Sequence, residues 1–539
     1  MMLHPGYMRY YYTTLQVLAE RGYTLDLSFA NPAKQAKDML HEKLNKDFPG
    51  QIFVRETPKR DDKWADLSRA VAWGMDYLRY LLPGYENAHR LKQRVEIHIH
   101  PAFKWPVTRL PIIRSRFGIK VLIKILKTID EFIPISIKQE KYFQKIKPDM
   151  VLVTPLVTQG SSQGEYFKVA RQLSIPTAYC VASWDNLSSK GLIRGKPHKV
   201  ILWNDAQKRE AVEFHGIHPS NIIVTGAQNF DNWFDVQPSA SREIFCRKIG
   251  LDPSKKILLY LCSSNFMAPN ETRFVLNWID ALRNSGIQKL ENIGILIRPY
   301  PEHVKQWRTV DLSVYNNVVL WPPAGEYPLT EEARSSFTDS IFHSEAVVGI
   351  NTSAMIETAI IGRPVFTVSA PELNESQSNT IHFHYMLQEN GGFLYVSSDL
   401  NQHVQQLKSV IDNPERAQEM LKHFVHAFIR PHGLDTPCVP LVVSEIEKLS
   451  ELPVKIPPIY NRFKKCMKYV LIPLALGIKC FQRSDEWKNR KVQWKKIVRL
   501  AEDMGVDPLR LWDIADSKGL VSEDVQTISE AYKVTVGSV

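Results

Sequence analysis

The sequence predicts an α/β protein of two doubly wound lobes facing a cleft, followed by a basic helical C-terminal extension. Three observations predict it. Short runs rich in Val, Ile and Leu alternate with segments of helical period over roughly residues 1–445, the rhythm of parallel strands joined by crossover helices. That rhythm pauses once, across 233–255, where Pro238, Ser239, Ser241 and Pro253 fall, and then resumes. After Pro453 it stops, and Lys and Arg interleave with aromatic residues. A chain of 539 residues has room for about three domains. With 44% apolar and 23% charged residues it is ordinary globular protein, which excludes disordered and fibrous classes.

Taken in order, Met1–His4 is a stub of strand, short enough to expect a truncated start. Pro5 and Gly6 turn the chain. Tyr10–Arg21 has a helical period through Leu15, Val17 and Leu18, and Gly22 stops it. Tyr23–Phe29 alternates as a strand. A helical insertion, aromatic and basic, is expected near 60–145. Strands are expected at Asp149–Val153, Ile175–Val181, His198–Trp203 and Asn221–Val224, with helices at Gln163–Leu173 and after Asn204 or Asp205. This makes 1–232 the first lobe and 233–255 a linker. The second lobe, 256–450, has strands at Lys256–Leu261, Ile293–Ile297, Val318–Leu320, Ala346–Gly349, Pro364–Val368 and Phe393–Val396, then a crossover helix at Val439–Leu449. Residues 451–539 form the extension, basic at first and then more polar.

Charge narrows the partners. Lys and Arg total 68 against 57 acids, a net charge of +11, which suits a membrane surface, a phosphorylated substrate or nucleic acid. No RRM, KH, zinc-finger or helix-turn-helix pattern occurs, so nucleic acid is set aside. Six cysteines without a CxxC pair suit reduced thiols in the cytosol. No signal peptide is visible, and no apolar run reaches the ~20 residues of a spanning helix. Tyr469–Phe481 is too short and contains Pro473 and Lys479. The expected location is therefore cytoplasmic. The basic stretches Val107–Lys138 and Tyr460–Lys496 point to peripheral contact with an anionic membrane at its inner face.

Ligands of doubly wound folds bind at the carboxyl ends of the strands, so the loops there carry the chemistry. In Val347–Pro364 (VVGINTSAMIETAIIGRP) a strand ends at Gly349, Asn351, Thr352 and Ser353 follow, and a helix begins. Small hydroxyl residues at a helix start leave N–H groups and the positive helix end for an anion such as pyrophosphate. Glu357, one turn on, can accept from ribose hydroxyls. The same pattern also suits a plain N-cap. Ser263, Ser264 and Asn265 follow another strand, and Arg298 follows the next, where it can pair with phosphate or satisfy a neighbouring carboxylate. Gln377, His382 and His384 lie in a polar loop with no metal-ligand spacing and are read as cleft lining. In the first lobe, Trp184, Asp185, Asn186 and Lys190 follow a strand, with Asp185 either a base, an orienting group or a turn residue. His4 is the other base candidate, and Arg9 can bind an acidic acceptor.

NTSAMIETAIIGRPV resembles the donor segment of GT-B glycosyltransferases, and also that of the non-hydrolysing UDP-sugar 2-epimerases and the CDP-glycerol glycerophosphotransferases. The opening HPGYMRYYYTTLQVLAERGYTL and the segment LWNDAQKREAVEFHGIHPSNIIVTGAQNFD resemble the first and last units of that fold's first Rossmann-like lobe. The resemblance implies a GT-B architecture, with Thr352 and Ser353 on the donor diphosphate, Glu357 on the ribose, and the crossover helix Val439–Leu449 returning to brace the first lobe. Tyr300 stands where relatives carry histidine. The glutamate of the 2-epimerases is missing near Trp184, as is the histidine of the teichoic-type transferases. No D-x-D triplet occurs, so transfer without a metal or other cofactor is expected. The expected function is sugar transfer from a nucleoside-diphosphate donor to a surface-carbohydrate or lipid-linked acceptor. A CDP-polyol transferase and a non-catalytic glycan-binding scaffold are the alternatives.

Overall fold

The computed structural model describes the chain except residues 33–39, 265–266, 269, 329, 370–372, 374–375, 454–457, 483–484, 522–523 and 538–539, and except the side chains of 458–465, 485–490 and 537. The chain divides into two compact units, Met1–Asp231 with His426–Ser484, and Asn232–Val425 with Asp485–Val539.

The first unit has strands β1 (Leu25–Phe29), β2 (Ile52–Glu56), β3 (Val151–Val153), β4 (Thr177–Cys180), β5 (Lys199–Leu202) and β6 (Ile222–Val224). β1 and β2 pair in parallel, as do β3 to β6 in sequence order. Met2 joins the two groups through single parallel bridges to Phe29 and Thr154. The lateral order is therefore β2, β1, Met2, β3, β4, β5, β6, and it reverses beside Met2. The strand expected at Met1–His4 shrinks to this one bridging residue, because Pro5 lacks an N–H for a ladder and starts the 3-10 helix Pro5–Tyr10. β2 was not expected: only its Ile52 is buried, so it lacks the alternation that marks a half-buried strand.

Apolar residues cover both faces of this sheet. On one side Leu15 and Leu18 pack with Val439, Val443 and Ile446; on the other lie Phe143, Phe167, Val169, Tyr179 and Val200. The helical insertion comprises Ala65–Arg79, His89–Glu96, Pro101–Arg109, Arg116–Phe132 and Ile137–Ile146. Residues 426–450, expected in the second lobe, belong to the first unit. Phe428 O accepts from Asn204 Nδ2 at 2.8 Å, and Ile429 O from the Ala227 N–H at 2.9 Å. Asp231 Oδ1 accepts from Arg430 Nη2 at 3.0 Å, and its Oδ2 from the Val439 N–H at 2.7 Å. Gly226 allows this approach: at φ +88° a Cβ there would lie 2.3 Å from Cys438 Sγ. The crossover helix, Cys438–Ser450, packs on Tyr12–Glu20.

The second unit has β7 (Ile257–Leu261), β8 (Gly294–Arg298), β9 (Val318–Leu320), β10 (Ala346–Gly349), β11 (Val365–Val368) and β12 (Leu394–Ser397). They form one parallel sheet in the order β9, β8, β7, β10, β11, β12. β7 and β8 are buried throughout, as strands covered on both faces must be. The 233–255 linker is corrected. Ser241 caps a helix, Arg242–Ile249, that Gly250 ends at φ +83°, and its Phe245, Cys246 and Ile249 join the core of this unit.

The extension divides. Its first helix, Pro458–Gln482, packs through Leu471, Ala475 and Ile478 on Ala65–Arg79 and Arg116–Phe132 in the first unit. Asp485–Met504, Pro508–Ser517 and Val525–Gly537 pack on one another, with Trp494 and Trp512 rings 5.5 Å apart. Among the described residues, no helix is long and apolar enough to cross a membrane.

Candidate functional site

In the second unit the strand order reverses between β7 and β10. That position is the switch point of an open parallel sheet, where the loops diverge and leave a crevice. The two loops that leave it carry Ser263 and Asn351, and the Asn351 N–H donates to Ser263 Oγ at 3.4 Å. Asn351 is buried, and its side-chain amide donates to Ser376 O. The helix after the loop, Ala354–Ile361, ends at Gly362 in the left-handed region. Thr352 is half-buried and its Oγ1 accepts from the Ala354 N–H at 3.4 Å. Ser353 is exposed, and its side chain makes no cap hydrogen bond. Glu357 is half-buried one turn on. The hydroxyl groups at this helix start are thus accessible, and the positive helix end suits an anion.

Behind this loop stands a residue that the sequence does not advertise. Glu271, the first residue of Glu271–Arg283, is buried and accepts from the Ser263 N–H at 2.8 and 3.0 Å and from Tyr260 Oη at 3.2 Å. Burial pushes its carboxyl from 4.5 up to about 8 despite those donors. It braces the Ser263 N–H from behind the loop. Ser264 is half-buried and its carbonyl accepts from the Met267 and Ala268 N–H groups. Asn265 lies outside the described residues.

Two expected ligand contacts are corrected. Arg298 is buried, and its Nη1 donates to Ser340 Oγ at 2.9 Å and to Ser336 O at 3.1 Å, with its guanidinium over the Phe337 ring. Burial lowers its pKa to about 10, with Glu326 opposing the shift. The Nη1 end of the side chain is therefore turned onto the helix Glu331–Phe342, where two hydroxyls and a carbonyl accept from it. Gln377, read as cleft lining, is buried, and its Nε2 donates to Thr367 Oγ1, Val368 O and Ile350 O. It ties the ends of β10 and β11 together from within. His382 is buried in the 3-10 helix Ile381–Met386, and His384 Nε2 lies 2.7 Å from Ser378 O. Tyr300 is half-buried with its ring 6.2 Å from that of Tyr327.

In the first unit the switch point lies beside Met2, and His4 follows it by two residues. His4 is buried, its ring 4.7 Å from that of Tyr7. Burial raises the Tyr7 hydroxyl, with the charges of Tyr10 and Asp185 adding to the shift. Tyr7 brings His4 and the Asp185 loop into one neighbourhood, and a tyrosine in an aromatic run gives no local sign of it. Arg9 is exposed and lies on the Tyr10 ring, its Nη2 2.7 Å from Tyr10 Oη. Asp185 pairs with Lys190 Nζ at 2.9 Å, and both are partly exposed. Asn186 is buried and its Oδ1 accepts from the Ala182 and Ser183 N–H groups, so it shapes the loop, and Trp184 is buried beside it.

This loop contains a single helical turn, Asn186–Ser189, whose carbonyls are met from the insertion helix Ala65–Arg79 and the residues after it. The buried Arg79 donates to the carbonyls of Leu187, Ser188, Lys190 and Gly191. Tyr80 Oη donates to Ser189 O at 3.0 Å, and Tyr85 Oη to Ser188 O at 2.7 Å. Asp76 accepts from the Leu192 N–H at 2.7 Å. Among the described residues, no three His, Cys, Asp or Glu side chains gather as a metal-holding group.

No family model matches the chain. It is 23% identical over 286 residues to the UDP-N-acetylglucosamine–N-acetylmuramyl-(pentapeptide) pyrophosphoryl-undecaprenol N-acetylglucosamine transferase of Phocaeicola vulgatus, across 52% of this chain and 68% of that protein. A glycosyltransferase structure from Rickettsia africae aligns with 83% of this chain and 98% of its own at 12% identity and a TM-score of 0.46. The UDP-N-acetylglucosamine 2-epimerase of Neisseria meningitidis, solved with UDP-GlcNAc, aligns with 60% of this chain and 82% of its own at 14% identity and a TM-score of 0.38. The sequence relative is a glycosyltransferase, one of the kinds of protein that the NTSAMIETAIIGRPV segment resembles.

Proposed function

We propose that this protein is a glycosyltransferase that moves a sugar from a nucleoside-diphosphate donor, with a uridine donor first in line, to a glycan or lipid-linked acceptor, without a bound metal. The observation that carries the reading is the meeting of Ser263 and Asn351 at the switch point of the second sheet, directly before an accessible helix start bearing Thr352 and Ser353. Support for donor and acceptor class comes from the sequence relative, whose name specifies a UDP-sugar and an undecaprenol-linked acceptor.

In this reading the helix start and the Thr352 and Ser353 hydroxyls hold the donor diphosphate, and Glu357 accepts from the ribose hydroxyls. The acceptor hydroxyl oxygen bonds to the anomeric carbon while the bond from that carbon to the diphosphate oxygen breaks. The nucleoside diphosphate leaves with the electron pair, and positive helix-end potential stabilises its growing charge. His4 takes the hydroxyl proton. Asp185, held by Lys190, orients the acceptor.

A thermal-shift screen of UDP, GDP, CDP and dTDP with their sugars tests the donor site. One nucleotide should stabilise the protein, and indifference to all of them would leave a glycan-binding scaffold. Glu357→Ala should weaken that nucleotide about tenfold or more, the loss of a hydrogen-bonded charged group, and should affect donor binding more than the folding of the free protein. In transfer assays under added chelator, His4→Ala should lower kcat by about 100-fold or more, as expected for a lost general base. Asp185→Asn should act mainly on acceptor KM. Full turnover in His4→Ala would remove the first assignment, and an unchanged acceptor KM in Asp185→Asn would remove the second.

A further inference from the structure

Beyond the transfer reading, and independent of it, the first unit carries a surface that its own fold does not use. Single exposed apolar residues are ordinary, but a contiguous set is not. Along 101–129 the side chains of Trp105, Leu110, Ile112, Phe117, Val121 and Ile125 are all exposed, Ile112 at 87% and Phe117 at 78%. Phe117, Val121 and Ile125 recur every fourth residue of Arg116–Phe132, so they share a face. This is not the packing face, since Ile119, Ile123 and Leu126 are the buried residues of the same helix. A second row, Arg116, Lys120 and Lys124, runs beside the apolar one, exposed at each position.

The C-terminal helix Pro458–Gln482 packs against Arg116–Phe132 and repeats the pattern. Its Leu471, Ala475 and Ile478 are buried, while Tyr469, Val470 and Leu476 are exposed, with Lys468 over the Tyr469 ring. Two stretches more than 300 positions apart in sequence therefore adjoin within one unit, each apolar outward and basic alongside. Residues 101–129 hold seven Lys and Arg and no Asp or Glu, and 458–482 likewise contain no acid.

We infer that this joined face seats the protein on an anionic lipid bilayer, with the apolar rows entering the headgroup boundary and the basic rows meeting lipid phosphates. A second copy of the chain fits worse. A two-fold contact would set the basic rows of both copies against each other with no acid between them. Anionic lipid supplies the missing charge, and interfacial seating needs only an amphipathic surface, not a spanning length.

Flotation of the full chain, without any sugar donor, on phosphatidylcholine vesicles with and without phosphatidylglycerol tests this. The protein should float with the anionic vesicles only, and less as salt rises. Ile112→Ser with Phe117→Ser and Val121→Ser, and separately Arg116→Glu with Lys120→Glu and Lys124→Glu, should each lower the bound fraction about tenfold or more. Circular dichroism and melting temperature should be unchanged, because all six side chains leave the core alone. Equal flotation of the wild type and both variants, or no flotation of the wild type, would overturn the inference. So would light scattering that shows a lipid-free dimer abolished by the serine changes, which would assign the face to a second copy.

Discussion

Glu271 shows how much one carboxyl can decide. The acid stands against the Ser263 N–H in a dry setting, and its pKa rises from 4.5 to about 8. Between those values the folded chain holds a proton that the unfolded chain has lost. Stability from this group is therefore full below about pH 4.5, falls by up to about 1.4 kcal/mol per pH unit, and is gone above about pH 8. Glu271→Gln keeps the shape and cannot ionise. Urea unfolding across this window should show the variant losing less stability than the wild type as pH rises; parallel curves would mean that the group is ionised throughout. The residues at this scale divide by locality. Asn351 to Glu357 are legible in the sequence because strand end, hydroxyl pair and helix follow one another without a gap. Glu271 is not, because its partner lies eight positions back through a loop, and an acid opening a helix looks like any other. Arg298 and Gln377 mislead for the converse reason: polar residues after a strand point to ligands in general, yet here their hydrogen bonds close on Ser336, Ser340, Thr367 and Val368.

Among the elements, the turn Asn186–Ser189 cannot stand alone. Four residues make a helix too short to hold itself, and its carbonyls are satisfied by Arg79, Tyr80 and Tyr85 instead. The side chains that shape the Asp185 loop therefore belong to the inserted helices. Arg79→Ala should destabilise the first unit by about 3 kcal/mol or more, as buried carbonyls lose charge-assisted donors. Hydrogen exchange at 187–192 should rise with it. Arg79→Lys should recover little, because one ammonium cannot match a planar fork. Unaltered exchange in that segment would show that the turn is held by other contacts. The insertion itself is legible from its helical period, whereas its grip on a loop more than 100 residues away leaves no local trace. β2 and the helix Arg242–Ile249 are hidden in the sequence for a different reason. β2 is exposed beyond Ile52, and the helix sits in a stretch whose Pro and Ser residues look like a linker, although Ser241 is its cap.

Across the whole molecule, the two parallel sheets are legible because the buried strands are short apolar runs bounded by turns. The discontinuity of the first unit is legible only through the family resemblance, which brings the crossover helix back to the first lobe. The core of that unit takes Val439, Val442, Val443, Ile446 and Leu449 from beyond residue 425, and periodicity alone cannot say which sheet a helix will cover. Residues 1–231 expressed alone should therefore lack fixed packing, with weak near-ultraviolet circular dichroism, and should regain it when 426–484 is fused behind them through a short linker. A cooperative melt of 1–231 by itself would show that the crossover helix is dispensable. The same arrangement orders events during synthesis. The apolar flank of Tyr12–Glu20 is synthesised about 400 residues before Cys438–Ser450, and at ~5–20 residues per second its wait for that helix is on the order of tens of seconds. Throughout it the nascent chain shows the ribosome's surroundings an uncovered apolar strip, so a holding chaperone and a steady supply of charged tRNA would govern the yield of this protein as much as its final stability does.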